Sequence, residues 1–131
     1  MSEDDEDVTT AGELLLRTIA LEKDTNQNRD IYAGWLVSQM DLAASGLAGR
    51  IAKGRTATVS ISKLDFLSPV RVGAELSFFG IVQQMGNSSI QIQVEVWTRD
   101  HNQLDDRKVT EGVFILVAID EAGRIRSLPG L

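Results

Sequence analysis

The chain reads as an α+β fold in which a five-stranded antiparallel sheet curls around one long helix, and three features of its 131 residues carry that reading. The run "IYAGWLVSQMDLAASGLAG" (31–49) holds a single charged side chain and is long enough for a buried helix. Downstream, four segments rich in β-branched and aromatic residues largely alternate apolar with polar, the period of a strand. One more strand-like stretch precedes the helix, and nowhere does the order strand–helix–strand recur as a parallel sheet would require.

In chain order, residues 1–12 begin with the acidic run Glu3, Asp4, Asp5, Glu6 and Asp7, which reads as a solvated, disordered tail, and residues 13–131 form a single domain. "LLLRTIALEK" (14–23) is the first strand, closed by the turn-prone "DTNQNRD". A helix is expected from Ile31 to about Lys53, with the Asp30 carboxylate as N-cap and Gly54 as the stop. The strands "TATVSISKLDF", "AELSFFGIVQQM", "SSIQIQVEVWT" and "VTEGVFILVAID" follow. In the third of these Ile90, Ile92, Val94 and Val96 point one way and Gln91, Gln93 and Glu95 the other, so one face is buried and the other wet. "SPVRVG" and "MGNSS" supply turns, the latter a short hairpin connection at Gly86-Asn87.

Composition removes several functions. A net charge of −6 and no basic stripe argue against a nucleic-acid partner. The chain has no cysteine, which excludes disulfide scaffolds, thiolate metal sites and cysteine nucleophiles and fits a reducing cytoplasm. Its one histidine, His101, lies in the polar stretch "RDHNQLDDRK", a loop rather than a pocket floor, so neither a Ser-His-Asp triad nor a metal site is expected. The acidic start has the wrong sign for a signal peptide. A membrane span over 31–49 is disfavoured by its central aspartate, which costs about 2.5–3.5 kcal/mol on insertion scales, and by the amphipathic strands that follow.

That aspartate, Asp41, is the residue most in need of explanation. Gly34 lies two turns earlier and shares its face to within about 20°, and Ser38 and Ser45 extend the face into a polar stripe. The stripe is headed by the first turn, whose amide hydrogens have no intrahelical partner and suit an oxyanion. Asp41 is either a solvated mid-helix carboxylate or a catalytic one. No Lys, Arg or Glu accompanies it on the neighbouring turns, as a solvated face would normally provide.

The segments "LLLRTIALEKDTNQNRDIYAGWLVSQMD", "GRTATVS", "FLSPVRVG", "SSIQIQVEVW" and "FILVAID" resemble the hotdog-fold acyl-CoA thioesterases, in particular the small broad-specificity bacterial acyl-CoA hydrolases. The similarity spans about residues 13 to 129, and "DTN…DI…GW…SQMD" is its most specific part. The resemblance implies a sheet wrapped around the long helix, protomers paired side by side into dimers with a continuous sheet, trimers of those dimers, and an active site at the dimer interface. It implies that Asp41 is the catalytic carboxylate, that the helix start at Ala33 and Gly34 supplies the oxyanion donor, and that Asp30 lies near the carboxylate across the interface. Asn28, in the same motif, falls with Ala33 on the substrate side. Arg55, Thr58, Asn87, Ser88 and Ser89 match positions that contact the coenzyme, and Arg71 lies near the "SP" turn as a further basic candidate. Coenzyme A is then part of the substrate, and no separate cofactor is implied.

The motif departs from the family pattern at Arg29, where a glycine is usual, at Tyr32 for a common Phe, at Ala33 for the first of two glycines, and at Ser68 for a basic residue. A glycine at position 29 can adopt φ > 0, which Arg resists. The oxyanion contacts are backbone N–H groups, which Ala retains. Thioester hydrolysis suits so sparse a site, because a thiolate leaving group with a reference pKa of about 8.5 needs little acid assistance. Asp41 would act as general base on water or as direct nucleophile, with Gly34 N–H, joined by that of Trp35, polarising the carbonyl. The competing reading is a non-catalytic acyl-CoA-binding or regulatory hotdog protein. Retention of Asp41 favours the enzyme, since a pure binder gains nothing from a buried carboxylate beside an anionic ligand.

Overall fold

The computed structural model describes residues 12–99 and 106–130. The acidic stretch up to residue 11 and His101 lie outside the described residues. One five-stranded antiparallel sheet, of order β1-β3-β4-β5-β2, packs against a single long helix. Its strands are β1 (Glu13–Ile19), β2 (Thr56–Phe66), β3 (Glu75–Met85), β4 (Ser89–Arg99) and β5 (Arg107–Ala118), and the helix α1 spans Ala33–Ala52. Strands β1 and β2 are therefore the two edges, on opposite flanks of the helix.

The alternation in the sequence fixes which side of each strand meets the helix. Ile90, Ile92, Val94 and Val96 are wholly buried against α1, joined by Leu76 and Phe78 of β3 and by Phe114 and Leu116 of β5. The other face carries polar networks. Gln91 Nε2 donates to Gln83 Oε1 (2.9 Å), and Gln83 Nε2 to Gln93 Oε1 (3.2 Å). Lys108 Nζ donates to Glu111 Oε1 (2.7 Å), and this bond, with Glu95 nearby, holds the ammonium above its ordinary pKa. The β3–β4 hairpin closes with Gly86 N–H donating to Ser89 O (2.9 Å), as the Gly-Asn signal implies.

Three expectations need correction at the chain's turns. Strand β1 ends at Ile19, four residues short of Lys23, because Ala20 exchanges backbone bonds with Gly73 and Ala74 and the chain then turns through a short 3-10 segment, Glu22–Asp24. Asp30 is not the N-cap. The last extended residue before α1 is Tyr32 (φ −82°, ψ 150°), which makes no side-chain cap, while Asp30 lies in the preceding loop. That loop is organised by Asn26, whose Oδ1 accepts from Asn28 N–H (2.9 Å) and Asp30 N–H (3.2 Å) and whose own N–H donates to Asp30 O (2.8 Å). At the other end the left-handed cap is Lys53 (φ 54°, ψ 46°) and not Gly54.

A β-carbon is strained in that conformation by about 1–2 kcal/mol, whereas glycine adopts it freely. Lys53→Gly is expected to stabilise the fold by about 1 kcal/mol after its greater unfolded-state entropy is subtracted, read as a higher midpoint in urea. Arg29 (φ 65°) also adopts the left-handed region, as expected for a site where glycine is usual, and its guanidinium lies 3.2 Å from Glu22 on the surface.

The sheet covers only one side of α1. Leu36, Met40, Ala43, Ala44, Leu47, Ala48 and Ala52 are buried, and the small side chains among them let the strands approach closely. Ala33, Gly34, Ser38, Leu42 and Gly46 are exposed, so the apolar character all round the helix exceeds what its own sheet can bury.

Candidate active site

Asp41 stands in the middle of α1 on the flank that faces β2, half-buried. The hydroxyl of Thr58 on β2 donates to its Oδ1 at 2.6 Å. Thr58 reaches it because Thr56 and Thr58 lie opposite the buried Ala118 and Leu116 of β5 and turn with them toward the helix. After the extra residue Val59, Ser60 and Ser62 pair with Ile115 and Val113 on the outer face. Oδ2 of Asp41 has no hydrogen-bond partner among the described residues. One oxygen is thus held and the other is free.

Two turns back, the start of α1 presents its amide hydrogens. Those of Ala33 and Gly34 have no partner among the described residues, whereas Trp35 N–H donates to Tyr32 O (3.1 Å). The helix start therefore offers two free donors, Ala33 and Gly34, and Trp35 is not one of them. The Tyr32 ring packs over Gly34: a β-carbon there would lie 3.4 Å from ring atoms Cδ2 and Cε2. An aromatic wall and two unpaired N–H groups share this end of the helix.

The coenzyme candidates gather at one end of the sheet. Thr56 of β2 pairs with Ala118 of β5, and Ser89 of β4 pairs with Val117, so Arg55 and the hairpin 87–89 lie about two strand spacings, or roughly 10 Å, apart. The segment after β5 ties them together. Ile119 N–H donates to Arg55 O (3.0 Å), Ala118 N–H to Ser88 O (2.9 Å), Leu128 N–H to Asn87 O (2.8 Å), and Asn87 Nδ2 to Ser127 Oγ (3.2 Å). The guanidinium of Arg55 donates to the carbonyls of Asp120 (3.3 Å) and Glu121 (3.0 Å).

Arg126 was not singled out in the sequence, yet its guanidinium links Ile119 O (3.1 Å), Ser127 O (3.3 Å) and Ala52 O (2.8 Å), the last a carbonyl at the end of α1. Asn26 was missed as well; its signal was an asparagine in a turn-rich stretch, the residue type that bonds its own backbone two residues on. Asp30 and Asn28 are both exposed in the Asn26 loop, ahead of the helix start. Arg71 is exposed in the turn before β3, and no hydrogen bond among the described residues joins it to the other candidates.

A model of the thioesterase superfamily matches residues 28–104, from the loop before α1 into the stretch after β4. The acyl-CoA thioester hydrolase YciA of Salmonella typhimurium is 44% identical over 126 residues, covering 94% of this chain and 95% of that protein. The chain belongs to the acyl-CoA thioester hydrolases of this superfamily. Solved thioesterases share the architecture. The hexameric thioesterase y2039 of Yersinia pestis superposes with a TM-score of 0.90 at 43% identity, over 94% of this chain and all (100%) of the other. Cj0915 of Campylobacter jejuni, a hexameric hotdog-fold thioesterase, gives 0.85 at 30% identity, over 90% and 91% of the two chains. The single helix laid across a five-stranded antiparallel sheet is thus a hotdog fold, and the half-buried aspartate with a free oxygen belongs to a thioesterase.

Proposed function

We propose that this thioesterase hydrolyses acyl-CoA to a free carboxylic acid and coenzyme A with Asp41 as its catalytic carboxylate. The observation that carries the proposal is the 2.6 Å bond from Thr58, which fixes Oδ1 and leaves Oδ2 to react. The thioester carbonyl oxygen docks on the Ala33 and Gly34 amide hydrogens at the positive end of α1, where charge develops as the tetrahedral species forms. Oδ2 then takes a proton from the attacking water or itself bonds the acyl carbon as a mixed anhydride that water opens. In either course the C–S bond breaks and thiolate leaves. If water opens the anhydride at Asp41 Cγ, a single turnover in labelled water places the label in Asp41 and an aspartyl oxygen in the product acid, an outcome that the base course does not allow.

The pantetheine and phosphates run toward the end of the sheet that holds Arg55 and the 87–89 hairpin, where the local arginines offset a net charge of −6. Dimers form through the edge strand β2, whose eleven residues include the exposed Val59 (58%) and Ile61 (41%). A long apolar edge of this kind needs a cover, and a second copy of β2 would continue the sheet and bring a partner's loop, with its Asp30 and Asn28, beside Asp41. Three such dimers assemble into a hexamer, the state named for the Yersinia and Campylobacter enzymes. Among the described residues no helix is long and apolar enough to cross a membrane, and we place the enzyme in the cytoplasm.

The test is release of thiol from acyl-CoAs of increasing chain length. Turnover on at least one series is expected, and binding without turnover across all of them would instead identify a non-catalytic acyl-CoA-binding protein. Thr58 serves as a positioning residue for Asp41. A hydrogen bond to a charged group is worth about 1.5–3 kcal/mol, so Thr58→Ala is expected to lower kcat roughly ten- to hundredfold with KM little changed. Thr58→Ser, which keeps the hydroxyl, should restore most of the rate.

A further inference from the structure

Resting on the coenzyme reading above, we propose that the segment before β1 docks along the open edge of β3 and carries its acidic run, Glu3, Asp4, Asp5, Glu6 and Asp7, onto the arginine end of the sheet. There it competes with the phosphates of coenzyme A for the same cations. The chain thus holds its own weak competitor for substrate.

Direction and register place the run. Strand β1 pairs antiparallel with β3 from Ile19 opposite Glu75 to Glu13 opposite Gly80, where the described pairing stops. Strand β3 continues to Met85, so residues 81–85 have no strand on their β1 side among the described residues, and Ile81 (40%) and Met85 (46%) are exposed there. A sheet edge left open is a template for another extended segment. The chain ahead of Glu13 heads along that edge, and it contains Val8, Thr9 and Thr10, β-branched residues suited to a strand. Continued at the register of Glu13, Val8 falls opposite Met85 and Asp7 opposite Gly86, level with the 87–89 hairpin.

Charge supplies the destination. The four residues before Asp7 reach about 13 Å, enough to cross the roughly 10 Å between the hairpin and Arg55. Lys53, Arg55 and Arg124 are exposed at this end, with Arg126 behind them. Asp120 and Glu121 share the turn, but Asp120 Oδ1 already accepts from the N–H groups of Ala122 and Arg124 at 2.9 Å. Arg50, beside the start of β1, is paired with Glu13 at 2.8 Å, so the run passes it for cations farther on. A chain of net charge −6 that binds a polyanion depends on these few cations, and five carboxylates tethered within reach of them weaken that binding.

The experiment compares wild type with two variants. In one, all five acids become amides: Glu3→Gln, Asp4→Asn, Asp5→Asn, Glu6→Gln and Asp7→Asn. The other, Thr9→Pro with Thr10→Pro, keeps every charge. Successive residues of a strand turn their N–H groups to alternate sides, so one of the two prolines removes a donor to β3. KM and kcat for an acyl-CoA, and Kd for coenzyme A by calorimetry, are measured at low salt and again at about 0.3 M, where charges on the surface are screened. At low salt both variants are expected to lower KM and Kd about two- to fivefold with kcat unchanged, the effect of a weak competitor held at millimolar effective concentration. High salt should erase most of the difference. Unchanged KM and Kd in the amide variant overturn the competition. A gain in the amide variant that is missing from the proline variant assigns the effect to net charge and overturns docking on β3. Coenzyme A binding that shifts as expected in a protein without turnover removes the thioesterase mechanism and keeps this inference, whereas no coenzyme A binding by any of the three removes both.

Discussion

Asp41→Asn is expected to lower kcat for acyl-CoA hydrolysis by roughly a hundredfold to ten-thousandfold, the range that a positioned base contributes, with KM for the substrate within a few-fold of wild type. The amide keeps the size of the carboxylate and can still accept from Thr58, so the 2.6 Å contact survives while the free oxygen is replaced by a group that neither takes a proton nor attacks carbon. Binding is left nearly intact because the Ala33 and Gly34 amides and the Arg55 end of the sheet are untouched. Thiol release under saturating substrate, with coenzyme A binding measured by calorimetry on the same preparation, separates the two effects. Unchanged turnover in Asp41→Asn would remove the proposed mechanism, and loss of turnover accompanied by loss of the folded state would show that the variant had tested packing instead of chemistry.

Phe114→Ala carries the largest expected effect on stability, about 3–5 kcal/mol, against a total of only about 5–15 kcal/mol for a domain of this kind. Phe114 is fully buried on β5, paired across the sheet with Ile61 of β2 and Ile92 of β4. The space in front of its ring is kept by Gly112, where a β-carbon would lie 2.9 Å from Leu64 Cδ1 and 3.5 Å from both Met40 Cε and the Phe114 ring. Alanine leaves a void bounded by helix and sheet that neither can close alone. Because β5 is the strand on which β2 is hung, the same void loosens Thr58 against Asp41, so the loss should appear as a lower urea midpoint and as a lower kcat. A drop of under about 1 kcal/mol would mean that the core collapses around the missing ring.

How far the sequence was legible can be argued element by element. The strands β2 to β5 were readable almost to their ends, because a half-buried strand writes a period of two into its own side chains and no distant contact is needed to see it. The turn at Gly86-Asn87 was legible for the same local reason. The start of α1 was not. Asp30 has the right chemistry for an N-cap, but Asn26 bonds the backbone at Asn28 and Asp30 and carries the loop two residues further before the helix begins. The end of β1 was likewise decided by Ala74 and Gly73, more than fifty positions away in the chain.

The site divides in the same manner. A lone aspartate in an uncharged helix, one face shared with Gly34, made Asp41 and the first-turn amides candidates together, since helical spacing alone aligns them. What that spacing could not supply was the partner of Asp41. Thr58 turns inward opposite the buried Leu116, and the register shift at Val59 then puts Ser60 on the outer face, so strict alternation along β2 does not show that Thr58 shares a side with Asp41. Arg126 was equally invisible, its three carbonyl partners being gathered from α1, the turn after β5 and its own neighbour.

By itself, then, the sequence determined the elements and the buried face of each strand, and it singled out Asp41 as the candidate carboxylate, all of which follow from periods of two and 3.6 residues within continuous stretches. Only the tertiary structure decided which oxygen of Asp41 is held and which is free, which amides remain unpaired at the helix start, and which flank of α1 its sheet leaves bare. Those depend on register and on chain reversals, where the energy lies between residues far apart in sequence and no local pattern records it.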